Sequence, residues 1–331
     1  FGDHVLWAVD AALPESDPPE TALRNLRTLA ARAMATADGI RKGPVHLNLP
    51  FRKPLEPENI IKGQGSGKAE TSGARPGNQP YTKMERGELR PSKEQITILA
   101  DLMNSKERGM IVCGPRCPGG DFPKVVGHLA ALCGYPLFAD PLSGVRFGSH
   151  IHDAPIVGGY ETFLNAPISF PQPDLVLYFG AVPTGKRLNQ FLAGCHSTVH
   201  IHIRESGIWA DENHLTNHFL QADPHLLCLD LAEQFNSPRN SSWIDSWQHL
   251  EGSCWAELTQ VLDQMDFDGA YVADLLDRLG DGSYLFAGNS LPVRHVDQFG
   301  KPNAKMIHVF ANRGASGIDG NVSSGMGIAA K

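Results

Sequence analysis

From Ser92 onward, short apolar runs alternate with helical stretches, and this alternation restricts the fold more than any other feature of the chain. The runs lie at Met110–Cys113, Pro136–Ala139, Asp174–Phe179 and Thr198–Ile203, with Val125–Cys133 and Lys186–Leu192 between them at helical spacing. Strands and helices in that order predict an α/β fold built on doubly wound parallel sheets. Ser92 and Gln95 form a capping box after Pro91, and Ile96, Leu99, Leu102 and Met103 then mark one helical face. Asp223-Pro224 opens another helix, and Trp243–Met265 reads as a long helical connector. A second α/β unit follows: helix Tyr271–Leu279, strand Ser283–Ala287, helix Leu291–Gln298, strand Met306–Phe310, and a helical start running to Lys331.

The N-terminal part differs in character. Leu23, Leu26, Ala30, Ala33 and Met34 recur at helical spacing, and Val45–Leu49 reads as a short strand closed by Pro50. One helix and one strand cannot build a core, so residues 1–50 are read as the tail of a domain. Residues 51–90 are rich in Gly, Ser and Pro and read as a mobile linker. Within them Gly63–Ala69 resembles a phosphate-binding loop. It fails the pattern because Lys62 replaces the first glycine, Ala69 replaces the hydroxyl residue and no strand precedes it.

Composition narrows the function classes. The 331 residues are 41% hydrophobic and carry a formal charge of −7, so the chain can bury a core but has no global basic field for nucleic acid or an anionic membrane. No apolar run approaches the roughly 20 residues that a membrane-spanning helix needs. The six cysteines stand in apolar stretches and read as reduced core residues, with Cys113 and Cys117 lacking a second pair at metal-site spacing. His200 and His202 alternate with Val199, Ile201 and Ile203, which predicts solvent-facing histidines on a half-buried strand rather than a metal cluster with His196. Gly280-Asp281-Gly282 is read as a helix-to-strand turn.

Three loops stand where a strand's carboxyl end meets a helix's amino end, the edge at which open α/β sheets bind ligands. The first runs from Phe179 to Leu188. With Thr184 as N-cap, Lys186 and Arg187 fall in the first helical turn, where the helix dipole disfavours cations by roughly 0.3–1 kcal/mol each. An anion opposite them would account for the placement, and a solvated basic pair is the plainer alternative. The second is Gly288–Arg294, where Ser290 suits an N-cap and Arg294 lies one turn further on, so that both can reach one carboxylate. The third is Ala311–Gly320, whose Gly314, Gly317 and Gly320 permit positive φ around a lone large apolar residue, Ile318. An ordinary helix cap and an ordinary glycine-rich turn are the alternatives for these two.

Taken together, Gly43–Leu55, Thr184–Arg187, Gly288–Arg294 and Asn312–Gly320 closely resemble, in this order, the 2-succinyl-5-enolpyruvyl-6-hydroxy-3-cyclohexene-1-carboxylate synthases. These are thiamine-diphosphate enzymes of menaquinone and phylloquinone synthesis. The resemblance implies one complete central domain flanked by parts of two others: 1–55 the end of a pyrimidine-binding domain, 56–91 a linker, 92–240 the central domain, 241–267 a connector and 268–331 the start of a diphosphate-binding domain. It implies a transferase that decarboxylates 2-oxoglutarate and adds the succinyl unit to isochorismate, using thiamine diphosphate and Mg²⁺ or Mn²⁺, as a homodimer or tetramer. Both substrates are polycarboxylates, which suits arginine and lysine.

Carried over by position, Lys186 and Arg187 match the pair that meets the isochorismate carboxylate. Ser290, Arg294 and Arg313 match residues that hold substrate carboxylates near the thiazolium. Ile318 matches the apolar support beneath the cofactor, and Asn289 a neighbour of its diphosphate. The activating glutamate and the metal motif of such enzymes are not found in the sequence, so the chain is expected to be an internal segment, inactive alone, with no catalytic residue or metal ligand of its own. The compartment implied is the bacterial cytoplasm, or a plastid in plants and algae. Two alternatives are an acetohydroxyacid-synthase-like carboligase and a non-catalytic nucleotide-binding or regulatory module. Dinucleotide binding is disfavoured because Gly114–Gly120 is a poor match to Gly-x-Gly-x-x-Gly.

Overall fold

A computed structural model describes residues 2–15, 17–53, 75, 79–314 and 317–330. The phosphate-loop-like segment at 63–69 and most of the predicted linker lie outside the described residues. The chain divides into two compact units, Phe1–Glu88 and Leu89–Lys331.

In the first unit, strand β1 (Trp7–Asp10) pairs in parallel with β2 (Val45–Asn48), and helix α1 (Glu20–Ala37) connects them. The sequence reading missed β1, whose four residues are too few to show a period. Arg32 stacks its guanidinium over the Trp7 ring at 4.2 Å.

The second unit begins with α2 (Lys93–Ser105), opened by the predicted capping box: Ser92 accepts from the Gln95 amide at 3.2 Å and Gln95 from the Ser92 amide at 2.8 Å. Strands β3 (Gly109–Cys113), β4 (Leu137–Ala139), β5 (Ile156–Val157), β6 (Leu175–Phe179), β7 (Val199–Ile203) and β8 (His218–Leu220) form a six-stranded, wholly parallel sheet in the order β5-β4-β3-β6-β7-β8. This is the doubly wound order whose direction reverses between the first and fourth strands, here β3 and β6. Helices α2, α3 (Phe122–Cys133) and α6 (Pro224–Ala232) share one core with Ile111, Leu177 and Ile201. Helices α4 (Tyr160–Phe163), α5 (Lys186–Ala193) and α7 (Ser242–Gln264) share a second with Met110, Val112 and Val176.

Coverage of both faces overturns the reading of β7 as half-exposed. His200 and His202 are buried, each with Nε2 against a backbone carbonyl, of Cys195 at 3.4 Å and of Gly180 at 3.1 Å. Burial lowers both imidazoles below their ordinary range, and they serve as neutral core residues. All six cysteines are free thiols.

After α7 come α8 (Asp268–Arg278), β9 (Ser283–Ala287), α9 (Leu291–Phe299), β10 (Ile307–Ala311) and α10 (Asn321–Ala329), with β9 and β10 parallel and in register from Ser283 opposite Ile307 to Ala287 opposite Ala311. The Gly280–Gly282 turn is as read: Gly282 has φ +78° and the Asp281 carboxylate accepts the Met306 amide at 2.7 Å.

Candidate active site

All three loops singled out above do lie at strand carboxyl ends, between β6 and α5, β9 and α9, and β10 and α10. Because β9 and β10 end level, the loops after them run side by side, and Asn289 joins them. Its amide donates to the Gly317 carbonyl at 3.0 Å, and the residue is buried. Beside it, the Oδ1 of Asn321 at the start of α10 is buried without a hydrogen-bond partner. Ile318 is 67% exposed, a large apolar side chain that the described residues leave uncovered.

Ser290 holds the N-cap position of α9, but its hydroxyl makes no capping bond; φ is +70° and ψ −126°, a region unfavourable for any residue with a Cβ. Arg294 and Arg313 are both exposed. Of the three glycines in the last loop only Gly314 takes a positive φ, +122°, while Gly320 is at −85°.

At the first loop the structure corrects the reading. Gly185, not Thr184, is the N-cap of α5, and it has no side chain with which to cap. Thr184 is buried one residue earlier, its amide donating to Asp140 Oδ2 at 2.6 Å and its hydroxyl unpartnered. The anion demanded by two cations in a first helical turn is partly supplied from within: Glu161 Oε1 accepts the amides of Arg187 at 2.8 Å and Leu188 at 3.1 Å. Burial and the nearby Asp297 raise the Glu161 carboxyl above its ordinary range. Lys186 is exposed and Arg187 half-buried, its guanidinium donating to Gln190 at 3.2 Å.

Sequence reasoning missed the group that joins these loops. Arg146, fully buried, donates from Nε to the Ala139 carbonyl at 2.7 Å and from Nη1 to the Asp297 carbonyl at 2.5 Å. Its Nη2 donates to the Tyr160 hydroxyl and to Asp297 Oδ1, both at 2.7 Å. Tyr160 also donates to Asp297 Oδ1 at 2.6 Å. Arg146 thus ties the end of β4 to α9. Burial, with the Asp297 carboxylate beside it, raises Asp140 to about 7, and burial raises Asp297 as well, against the pull of Arg146. Nothing local in the sequence marks these residues: Asp297 stands 137 positions from Tyr160 and 151 from Arg146.

A cleft of about 590 Å³ lies between the loop after β3, the loop after β4 and β10, with Arg116 and Arg313 both in its lining. Arg116 was unremarkable in sequence; here it holds φ +65°. At the β3/β6 reversal itself the two loops fill the crevice in which sheets of this order hold a pyrophosphate. A Cβ on Gly114 would stand 1.7 Å from the Ala181 carbonyl oxygen, and Gly180, at φ +81°, backs onto the Gly114 and Pro115 carbonyls. Among the described residues, no group of three His, Cys, Asp or Glu side chains could hold a metal ion.

Known proteins fit this architecture. A family model described as "Middle domain of thiamine pyrophosphate" matches residues 76–286. The chain belongs to that family. It is 48% identical over its whole length to a 2-succinyl-5-enolpyruvyl-6-hydroxy-3-cyclohexene-1-carboxylate synthase from Roseiflexus sp. (strain RS-1), and equally to one from Roseiflexus castenholzii. A relative of the same name from Halobacterium salinarum is 37% identical over 99% of the chain. The chain spans 56% of the length of each of these relatives. No helix among the described residues is long and apolar enough to cross a membrane.

Proposed function

We propose that the chain forms part of a transferase of menaquinone biosynthesis that uses thiamine diphosphate to decarboxylate 2-oxoglutarate and adds the succinyl unit to isochorismate. The observation that carries the reading is 48% identity over the entire chain to relatives named for that product. Thiamine diphosphate, when bound, supplies the thiazolium that stabilises the carbanion left by decarboxylation of a 2-oxo acid.

The chain's own residues bind and orient. Asn289 and the unpartnered Asn321 Oδ1 offer polar groups at the β9–β10 edge, and Ile318 offers an uncovered apolar surface, a combination that fits one side of a cofactor with an apolar ring and a polar tail. Ser290, Arg294 and Arg313 hold the substrate carboxylates beside it, and Lys186 and Arg187 meet the carboxylate of isochorismate. The level ends of β9 and β10 support a common role for Ser290 and Arg313. The enzyme works in the bacterial or archaeal cytoplasm as a dimer or tetramer, and Mg²⁺ or Mn²⁺ takes its ligands from residues other than those described. No step is assigned to the metal.

The test uses the complete enzyme with thiamine diphosphate and Mg²⁺. Product should form from 2-oxoglutarate and isochorismate, and Arg294→Ala and Arg313→Ala should each raise a substrate KM by losing a charge-assisted contact of about 1.5–3 kcal/mol. Turnover of pyruvate in preference to 2-oxoglutarate would replace this reading with the acetohydroxyacid-synthase-like one. Unchanged kinetics in both variants would remove the two arginines from the site.

A further inference from the structure

Under the Lys186–Arg187 pair lies a relay of half-buried and buried carboxylates to which the reading above gives no role. It starts on α7, where Glu251 accepts the amides of Gly158 and Gly159 at 2.9 and 2.8 Å and the Trp255 indole N–H at 2.6 Å. Gly159 is the N-cap of α4 and cannot cap for itself, so Glu251 fixes the start of that helix. The short helix carries Tyr160 and Glu161. Tyr160 locks onto Asp297 of α9 and the buried Arg146, while Glu161 reaches across to the first turn of α5. One helix start is thus held by a carboxylate from the element before it, and the next by a carboxylate from that helix.

Two further observations show that this arrangement is built around Glu161. Gly185 has an ordinary φ of −68°, so no backbone requirement keeps it glycine. What keeps it so is room: a Cβ there would stand 2.4 Å from Glu161 Oε1 and 2.8 Å from Asp297 Oδ2. A serine or threonine cap at this position would have to displace the carboxylate ends of Glu161 and Asp297. In addition, Asp297 Oδ2 is buried with no hydrogen-bond partner, so the carboxylate is turned toward Gly185 and Glu161 at a cost that its Oδ1 contacts alone do not explain.

We propose that Glu161 is a positioning residue, which sets the direction in which Lys186 and Arg187 leave α5 toward a substrate carboxylate. The proposal rests on the reading of Lys186 and Arg187 as carboxylate ligands. Physically, Glu161 does two things at once. It satisfies two amides that Gly185 cannot reach, and it places a carboxylate at a helix start loaded with two cations. The charged group that faces it is Asp297 from α9, while Lys186, Arg187 and Leu188 of α5 meet it through their backbone amides; around Asp297 stand Asp140, Arg146, Tyr160 and Arg313.

The experiment compares Glu161→Ala with Glu161→Gln in the complete enzyme. The alanine leaves both amides without their acceptor, whereas the glutamine carbonyl keeps one. Glu161→Ala should speed amide hydrogen exchange across residues 186–190 and raise the KM for isochorismate about tenfold, the equivalent of roughly 1.4 kcal/mol, without moving the KM for 2-oxoglutarate. Glu161→Gln should recover most of both effects. Unchanged exchange in Glu161→Ala overturns the proposal, as does an equal rise of both KM values, which marks general loosening. If Glu161→Ala does not fold, the glutamine variant decides alone: a folded protein with wild-type exchange and isochorismate KM supports the hydrogen-bonding role, and one with both disturbed refutes it. The combined Lys186→Ala and Arg187→Ala variant tests the underlying reading separately, because an unmoved isochorismate KM there removes the pair from the site whatever Glu161 does.

Discussion

Asp297→Ala removes the carboxylate that, alone among the described residues, pairs directly with the fully buried Arg146 guanidinium. Arg146 keeps the carbonyls of Ala139, residue 297 and Gly300 and the Tyr160 hydroxyl, but no counter-charge within hydrogen-bond reach. Breaking a buried pair by deleting one partner costs about 3–5 kcal/mol. In a cooperative unit the size of Leu89–Lys331, each kcal/mol lowers the melting temperature by about 2–4 °C, so a drop of roughly 6–20 °C is expected. Asp297→Asn keeps an acceptor at Oδ1 for both Arg146 and Tyr160 and replaces the unpartnered Oδ2 with a donor facing Gly185 and Glu161. Its cost should lie below that of alanine, because the amide still accepts both bonds, although it too leaves the guanidinium without a counter-charge. Arg146→Met combined with Asp297→Ala should recover stability relative to Asp297→Ala alone, since no charge is then left buried. Differential scanning calorimetry with urea denaturation measures all three. A melting temperature within about 3 °C of wild type for Asp297→Ala, or equal losses in Asp297→Ala and Asp297→Asn, would refute the account of this pair.

Two further predictions concern pH and strain. Asp140 is raised to about 7, chiefly by burial, so its folded form holds a proton that the unfolded chain gives up near its ordinary 3.8. Its contribution is therefore full below that value and is lost as pH rises through about 7. The buried His150, His200 and His202, lowered by burial, act in the opposite sense and lose stability as pH falls below their ordinary value. The difference between wild type and Asp140→Asn isolates the carboxyl: wild type should lose stability relative to the variant between about pH 4 and about pH 7, and a flat difference contradicts the assignment. Ser290→Gly relieves a positive φ and should raise the stability of the second unit by about 1 kcal/mol, while weakening substrate binding if the hydroxyl touches substrate; a destabilised variant would show that the serine side chain holds the turn.

Local rules reached far in this chain. Ser92 and Gln95 cap α2 as their spacing dictates, Asp223 caps α6 through the amides of His225 and Leu226, and the apolar runs became parallel strands within a residue or two of their predicted ends. These features depend on neighbours in sequence, which is why sequence carries them. Strands β5 and β8, of two and three residues, left no period to read, and their pairing partners alone define them. His200 and His202 show the limit of periodicity: alternation distinguishes two faces of a strand, but only the helices packed on both sides decide that neither face meets water.

The same division runs through the candidate site. The residues proposed to face ligand stand in short motifs, because a loop between a strand and a helix is one stretch of chain, and Lys186, Arg187, Ser290, Arg294, Arg313 and Ile318 all belong to such stretches. The cap at α5 could not be read this way. Thr184 looked like the N-cap since threonine is a good one, yet the tertiary structure gave the task to Glu161, some 26 residues away, and left Gly185 at the helix start to make room for it. Sequence determined which elements form and which loops stand at the carboxyl edge of the strands, because hydrogen bonds and hydrophobic spacing over a few residues are local. Which carboxylates share a buried guanidinium, and how α4, α5 and α9 hold one another, was decided only when burial brought distant charges together and made each one's partner a necessity.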